Sequence, residues 1–207
     1  LTVADLVRAL LLASANDAAA TVAANIGGSQ KGFVRLMNQR ARRAGLTNTH
    51  FANPIGLDSP RNYSSATDLA KLALLVRADA FARRVMDRPS AVLRSGSRVR
   101  VVANRNTLVG AVPWMNGVKT GHTNTAGYLL VGSASRGGVE LVSVVMATPS
   151  EGARNADTLA LMRYGFARYR RSVPVVAGRP VAHIPVRYTD EKVAVAASRS
   201  LRVVARR

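Results

Sequence analysis

The chain has 207 residues, of which 48% are hydrophobic, so it can bury the core of one ordinary domain with a remainder. No segment approaches the roughly 20 consecutive apolar residues that a membrane-spanning helix needs. The formal net charge of +19 favours an anionic neighbour such as nucleic acid, anionic lipid or cell-wall polymer. The arginines are dispersed and aromatic residues make up only 5%, which argues against a nucleic-acid-binding surface.

The sequence contains no cysteine, which excludes disulfides, thiolate metal sites and cysteine nucleophiles and fits an oxidising envelope compartment. The three histidines, His50, His122 and His183, are too scattered to indicate zinc, so we expect neither a metal nor another cofactor. The first residue is Leu1 rather than methionine, and no signal-peptide pattern precedes the first helix. We therefore expect a trimmed or processed N-terminus.

Helical periodicity dominates the first part of the chain. Residues 1–25 are predicted to be helical, with Thr2 as the N-cap and apolar residues at helical spacing behind it. A glycine pair ends this region, and Ser29 opens a second helix that Gly45 closes. The outer face of that helix is predicted to be an ordinary solvated basic face, made of Lys31, Arg35, Arg40, Arg42 and Arg43.

Ser14 and Asn16 interrupt the first helical region. Residues two apart on a regular helix point to different sides, so these two can face one cleft only if the chain turns between two helices there. The alternative is a simple polar break between helices. After a loop over residues 47–60, Ser65 or Ser64 is predicted to cap a helix, and a further short helix spans 79–86.

From Ser90 onward the apolar pattern changes to period two, which predicts strands. The strand that carries Lys119 is followed by a β-hairpin turned at Arg136-Gly137-Gly138. A final helix is predicted from Ser150 or Asn155 through Phe166. A helical cluster followed by an antiparallel sheet that a C-terminal helix covers is an α+β arrangement.

The strand around Lys119 has the composition of a ligand-binding edge. Lys119, Thr120 and Gly121 offer a cation, a hydroxyl and an open backbone to one anionic ligand. Taken alone, this triplet is equally typical of a solvated surface turn.

The composition changes after Ser172. Residues 173–180 are predicted to be a linker, and the remainder alternates valine and alanine with basic residues. We therefore expect residues 1–172 to form one domain and residues 173–207 to begin a small β-rich domain with too little core to stand alone.

Several of these motifs occur together in one known family. The pair Ser14-x-Asn16 followed by Lys119-Thr120-Gly121 resembles the second and third motifs of penicillin-binding enzymes and serine β-lactamases. The flanking sequences are similar to the low-molecular-mass D-alanyl-D-alanine carboxypeptidases, the S11 family of serine peptidases. They are Leu1 to Leu6, Ala13 to Ala19, His50-Phe51, Gly56-Leu57-Asp58, Tyr63 to Asp68, Asn104-Arg105-Asn106 and Gly117 to Thr123.

The resemblance covers residues 1–172 and implies a β-lactamase/transpeptidase-like fold. One family feature is missing, because the nucleophile of these enzymes lies in a Ser-x-x-Lys motif and the chain contains none. We expect that motif to lie in an N-terminal segment outside the chain, so that these residues hold about half of an active site. Evolutionary loss of the nucleophile is the alternative.

The resemblance implies acyl transfer on peptidoglycan stem pentapeptides, without a cofactor. Ser14 would relay a proton to the leaving amine and would contact both Lys119 and the lysine of the missing Ser-x-x-Lys motif. The two ammonium groups would lower each other's pKa. Asn16 would hold the amide carbonyl of the substrate. Lys119, Thr120 and Thr123 would face the substrate carboxylate.

The remaining site residues that the resemblance implies would contact the backbone or the terminal carboxylate of the substrate. Gly121 would let the peptide lie along the strand as an added strand, and the backbone N–H of His122 would form half of an oxyanion hole. The side chain of His122 is expected to be structural. Arg154 matches a family arginine that binds the terminal carboxylate, although a solvated arginine at a helix start is an equal alternative.

The implied partners are the peptidoglycan pentapeptide and, as covalent inhibitors of an intact enzyme, β-lactams. The implied location is the extracytoplasmic cell envelope, with the membrane surface as a further candidate partner and no nucleic acid. A D,D-endopeptidase of the same family and a non-catalytic binder of peptidoglycan or β-lactam remain alternatives.

Overall fold

The structure is a computed structural model that describes residues 1–206. It divides into two compact units, which we call the cleft unit, Leu1–Ser135 with Glu140–Met162, and the strand unit, residues 136–139 with 163–206. The helices are α1 Val3–Arg8, a π-helical turn Ala9–Ala13, α2 Asn16–Gly27, α3 Gln30–Arg43, α4 Ala66–Ala78, α5 Ala80–Met86, α6 Leu108–Ala111 and α7 Glu151–Arg168. The strands are β1 Ser90–Leu93, β2 Arg100–Ala103, β3 Met115–Thr123, β4 Gly127–Arg136, β5 Val139–Thr148, β6 Tyr169–Val175, β7 Pro180–Pro185, β8 Lys192–Ala196 and β9 Leu201–Arg206.

The predicted helix starts are confirmed, because each has a hydroxyl that satisfies a free backbone donor. The side chains of Thr2, Ser29 and Ser65 accept hydrogen bonds from the backbone N–H groups three residues later. Of the two serines considered for α4, the cap is Ser65. No described helix has the length and apolar content needed to cross a membrane.

The sheet of the cleft unit has the order β3-β4-β5, so β3 is an edge strand. β3 pairs antiparallel with β4, and Lys119 lies opposite Val131. Gly137 and Gly138 both have positive φ, 58° and 74°, which a two-residue hairpin turn between β4 and β5 requires. A second, two-stranded antiparallel pair joins β1 and β2. The predicted α+β arrangement is thus confirmed.

Two apolar clusters hold the cleft unit together. One is formed where the first helices meet the β1-β2 pair, and the other where α4 and α5 meet β3. Their buried members are Ala9, Ala18 and Leu93 in the first cluster and Ala73, Met86 and Val118 in the second. Both clusters lie next to chain segments that line the cleft described below, so burial fixes the position of the cleft walls.

Asp5 joins α1 to the end of β1. Its carboxylate accepts hydrogen bonds from the backbone N–H groups of Arg94 and Ser95, at 3.0 and 2.9 Å, and from the Ser95 hydroxyl at 2.6 Å. These bonds, with the Ser95 hydroxyl first, hold the pKa of Asp5 well below its usual range.

The strand unit consists of two antiparallel pairs, β6 with β9 and β7 with β8. The predicted linker over residues 173–180 is therefore wrong as far as Val175, because β6 already runs from Tyr169 to Val175. The alternation of apolar and basic residues there is the pattern of a strand, and Pro174 falls at the irregularity in its pairing with β9. The predicted domain boundary at residue 172 stays a prediction.

Candidate active site

A cleft of about 870 Å³ lies in the cleft unit. All eight residues that the sequence nominates line it, namely Ser14, Asn16, Lys119, Thr120, Gly121, His122, Thr123 and Arg154. The structure thus brings together positions that are up to 140 residues apart in the chain. Their chemical roles stay predictions.

Ser14 lies where the first helical region breaks. The π-helical turn ends at Ala13, and Ser14 has the left-handed backbone φ 54°, ψ 42°. A non-glycine residue in this region is uncommon and costs on the order of 1 kcal/mol or more. Ala15 is extended and α2 begins at Asn16. This turn between two helices puts both Ser14 and Asn16 on the cleft wall. It is the turn that the sequence predicted as the condition for both side chains to face one cleft.

Lys119 reaches across the cleft from β3 to this turn. Its Nζ donates hydrogen bonds to the Ser14 hydroxyl and to the carbonyl of Thr120, the latter at 2.9 Å. Within residues 1–206, no carboxylate lies within ion-pair distance of the Lys119 ammonium. The two polar motifs of the sequence therefore meet at one hydrogen bond.

The ammonium group of Lys119 has a lowered pKa. Burial lowers the pKa of Lys119 to about 8, and the nearby positive charge of Arg105 contributes to the shift. An amine with such a pKa exchanges protons readily near neutrality, which is what proton transfer to or from Ser14 requires. Arg105 is a charged neighbour that the sequence did not suggest, and the second ammonium implied by the missing Ser-x-x-Lys motif stays a prediction.

The free edge of β3 forms one wall of the cleft. Because β4 is the only partner of β3 among residues 1–206, the other edge of β3 is open to an extended ligand in the manner of an added strand. A Cβ added to Gly121 would lie 3.1 Å from Cδ1 of Leu129, so a larger residue here would require the Leu129 side chain to shift slightly. The ring of His122 contacts that of Tyr128 at a centroid distance of 4.0 Å and an interplanar angle of 33°.

Arg154 is not the solvated arginine that was one alternative for it, because it is only 3% exposed. Its Nη2 donates to Glu151 Oε1 at 2.7 Å, and both Nε and Nη2 donate to Asn155 Oδ1, at 3.2 and 3.0 Å. These contacts within the first turn of α7 hold the guanidinium at the cleft. Glu151 is the carboxylate that pairs with the Arg154 guanidinium.

A loop closes the cleft opposite α7. Asn53 holds the loop in shape, since its Oδ1 accepts from Leu57 N at 3.0 Å and its Nδ2 donates to Leu57 O at 2.8 Å. Asp58 fastens the loop to β3, because Thr123 Oγ1 donates to Asp58 Oδ1 at 2.7 Å. Thr123 therefore has a partner within the chain as well as a place at the cleft.

Sequence reasoning did not assign a role to several residues that line the cleft. These are Asn53, Asn62, Arg105, Thr107, Tyr128 and Glu151. Arg105 belongs to a family motif, Asn104-Arg105-Asn106, to which the sequence assigned no role. The structure supplies a reason for that motif. Asn106 is buried and its Nδ2 donates to the carbonyl of Gly117 at 3.0 Å, so it ties the motif to β3 next to Lys119.

The described residues contain no cluster of three or more His, Cys, Asp or Glu that could hold a metal ion. The polar groups of the cleft are an amine, guanidiniums, amides, hydroxyls, the imidazole of His122 and one carboxylate, that of Glu151. Such a set suits hydrogen bonding to a peptide and its carboxylate.

Comparison with known proteins agrees with this geometry. The family model described as D-alanyl-D-alanine carboxypeptidase, Peptidase S11, matches residues 1–150. The chain belongs to the D-alanyl-D-alanine carboxypeptidase family. D-alanyl-D-alanine carboxypeptidase DacA of Haemophilus influenzae is 35% identical over 197 residues, which are 92% of this chain and 48% of that protein. The chain spans about half the length of the curated carboxypeptidases it matches.

Two solved structures of similar sequence share the fold. The DD-transpeptidase of Streptomyces K15 superposes with a TM-score of 0.77 at 35% identity, covering 81% of this chain and 68% of that one. The carboxypeptidase DacD of Francisella tularensis superposes with a TM-score of 0.76 at 28% identity, covering 98% of this chain and 62% of that one. The transpeptidase-like fold expected from the carboxypeptidase motifs is confirmed.

Proposed function

We propose that the cleft is one half of the active site of a serine-type D-alanyl-D-alanine carboxypeptidase. The hydrogen bond from Lys119 Nζ to the Ser14 hydroxyl, at the free edge of β3, is the observation that carries the proposal. It joins a half-buried amine of lowered pKa to a hydroxyl beside a strand edge on which an extended peptide would lie. Membership of the carboxypeptidase family supports the same chemistry.

In this proposal the reaction is an acyl transfer in two steps. A serine hydroxyl attacks the carbonyl of the penultimate D-alanine, the peptide bond breaks, and the terminal D-alanine leaves with a proton. Water then attacks the ester and restores the hydroxyl. The attacking serine would come from a Ser-x-x-Lys segment outside these residues, because the chain contains no such motif.

The residues of the chain would do the other work of the reaction. Ser14 would pass the proton to the leaving amine, with Lys119 restoring its protonation state. Asn16 would hold the peptide by donating a hydrogen bond to the amide carbonyl of the substrate. The backbone N–H of His122 would stabilise the oxyanion.

A second set of groups would bind the terminal carboxylate of the substrate. Lys119 and Arg154 supply positive charge at the cleft, and Thr120 and Thr123 supply hydroxyls. Gly121 keeps the backbone between them open to a peptide. Recognition of a free carboxylate is what distinguishes cleavage at a chain end from cleavage within a chain.

The test is an assay on the chain expressed with the residues that its gene encodes ahead of Leu1. D-alanine release from a pentapeptide is measured beside the opening of cross-linked peptide dimers. We expect D-alanine release, and we expect Ser14→Ala to slow it by about 10²- to 10⁴-fold. Ser172→Ala in β6 is the matched control and should leave the rate unchanged.

Two other outcomes would replace the proposal. Opening of dimers without D-alanine release would make the protein a D,D-endopeptidase of the same family. Binding of pentapeptide without either reaction would make it a non-catalytic peptidoglycan- or β-lactam-binding protein, an alternative favoured by the absence of Ser-x-x-Lys from the chain.

The proposed place of work is the extracytoplasmic cell envelope, where peptidoglycan lies. The net charge of +19 supports association with an anionic wall polymer or an anionic membrane surface. In the same proposal β-lactams acylate the attacking serine because they present a reactive amide to it.

A further inference from the structure

A second cavity of about 520 Å³ lies in the cleft unit between α3 and the loop over residues 50–61. Four cations line it, Lys31, Arg35, Arg42 and Arg61, together with amide groups from glutamine and asparagine side chains. No Asp or Glu is among its lining residues. We call this cavity the basic groove.

Some of the basic residues of α3 line the basic groove and others do not. Lys31, Arg35 and Arg42 are four and seven residues apart, which puts them along one side of the helix, facing Arg61 of the loop. Arg40 and Arg43 of the same helix do not line the groove. All five basic residues of α3 are exposed, so the solvated basic face predicted from the sequence is confirmed, and three of its members also line the groove.

The walls of the groove are fixed by hydrogen bonds. Asn38 is buried in α3 and bonds twice to the loop, since its Nδ2 donates to Phe51 O and its Oδ1 accepts from Phe51 N, both at 2.8 Å. His50 Nδ1 donates to the carbonyl of Arg61 at 2.5 Å. A site whose walls are already held in place loses little conformational entropy when a ligand binds.

The positive charges of the groove are not compensated within the chain. In the described part of the chain, none of Lys31, Arg35, Arg42 and Arg61 forms an ion pair, whereas Arg8, Arg77 and Arg154 each do. Cations gathered in a concave surface repel one another and concentrate the positive potential there. An anion with more than one charge relieves that repulsion.

The basic groove adjoins the cleft. Phe51, Asn53 and Pro54 line both cavities, so the groove lies next to the cleft. Arginine presents a planar pair of donors that matches a carboxylate. We propose that the basic groove binds carboxylates on the part of the peptidoglycan chain that lies away from its D-alanyl-D-alanine end. This inference rests on the proposed function for the identity of that chain.

The test measures binding of peptidoglycan fragments to the chain by isothermal titration calorimetry. The probe is a disaccharide-tripeptide, which carries stem-peptide carboxylates but lacks the D-alanyl-D-alanine end. The double variant Arg35→Gln with Arg42→Gln should weaken its binding about tenfold, because each partly solvated charge contributes modestly. The matched control, Arg40→Gln with Arg43→Gln, removes equal charge from the same helix outside the groove and should leave the affinity within about twofold.

Two further arms identify the ligand chemistry. The same fragment with its carboxylates converted to amides should bind about tenfold more weakly to the unmodified chain. Inorganic phosphate at the same ionic strength should compete poorly with the acidic fragment. Equal loss in both double variants, equal binding of the amidated fragment, or displacement by phosphate at low concentration would each overturn the proposal.

The outcome of this binding test can be distinguished from the outcome of the D-alanine release assay. The tripeptide fragment contains no scissile D-alanyl bond, so its binding does not depend on catalysis or on Ser14. Groove-dependent binding without D-alanine release would leave the groove assignment standing and refute the carboxypeptidase. D-alanine release with no groove dependence would do the reverse. Circular dichroism of all variants confirms that the surface substitutions leave the fold intact.

Discussion

The cleft unit and strands β6 to β9 contain similar apolar residues but use them differently. In the cleft unit Leu12, Leu93 and Leu130 are almost completely buried. From residue 169 to residue 206 no residue is buried, and Ile184 and Leu201 are 55% and 51% exposed. Strand pairing alone therefore does not produce a core, because a sheet buries its apolar face only against a second layer.

This difference explains where the chemistry of the chain lies. The pKa of Lys119 is lowered first by burial, which only a packed region provides. Lys192 in β8 lies on an exposed strand and has no comparable surroundings. The sharpest experiments therefore make one change in the cleft unit and the same change in β6 to β9.

The largest expected effect is on stability. Leu130→Ala in β4 removes a side chain that is completely buried, and it should lower the free energy of unfolding by about 2–5 kcal/mol. Leu201→Ala in β9 makes the same chemical change at a half-exposed position and should cost less than about 0.5 kcal/mol. Urea unfolding followed by far-UV circular dichroism reports on both regions. Equal losses in the two variants would contradict the contrast in burial.

A smaller effect concerns pH. Because the pKa of Lys119 is about 8 in the folded chain and 10.5 ordinarily, the unfolded chain binds more protons between these values. The free energy of unfolding therefore increases as the pH rises. Lys119 contributes about 1.5 kcal/mol of this increase between pH 8 and about pH 9.5. We expect this contribution to vanish in Lys119→Met and to persist in Lys192→Met. A rise that is the same in both variants would assign the pH dependence to other groups.

The smallest effect concerns the loop at the cleft. Asp58→Ala removes the acceptor of the Thr123 hydroxyl and should cost about 0.5–1.5 kcal/mol. Amide hydrogen exchange should accelerate in residues 53–62, while the β4 amides keep their protection. Asp190→Ala, between β7 and β8, is the matched control and should not change exchange in this loop. Unchanged exchange after Asp58→Ala would mean that the Asn53 hydrogen bonds alone hold the loop.

Much of the fold could be predicted because it depends on local chemistry. Thr2, Ser29 and Ser65 cap helices through backbone groups only three residues away. The glycine turn at Gly137 and Gly138 is equally local. The strand β6 was missed because its valine and proline content suits a linker as well as a strand. What decides between them is its pairing with β9, about thirty residues further along the chain.

The candidate site was predictable in part for a different reason. The two motifs around Ser14 and Lys119 could be found by resemblance, and the structure puts them in contact. The contribution of Arg105 to the Lys119 pKa could not, because it depends on the distance between two side chains from different segments. The basic groove was also hidden, since Arg61 joins the α3 cations only through folding of the loop.

The most direct test of the proposed active site is covalent labelling by fluorescent penicillin. The chain is expressed with the residues that its gene encodes ahead of Leu1, and Lys119→Ala is compared with Lys192→Ala. We expect the unmodified protein and Lys192→Ala to be labelled at the same rate, and Lys119→Ala to be labelled at least about 100-fold more slowly. Absence of labelling in the unmodified protein, or equal labelling of the two variants, would contradict the account.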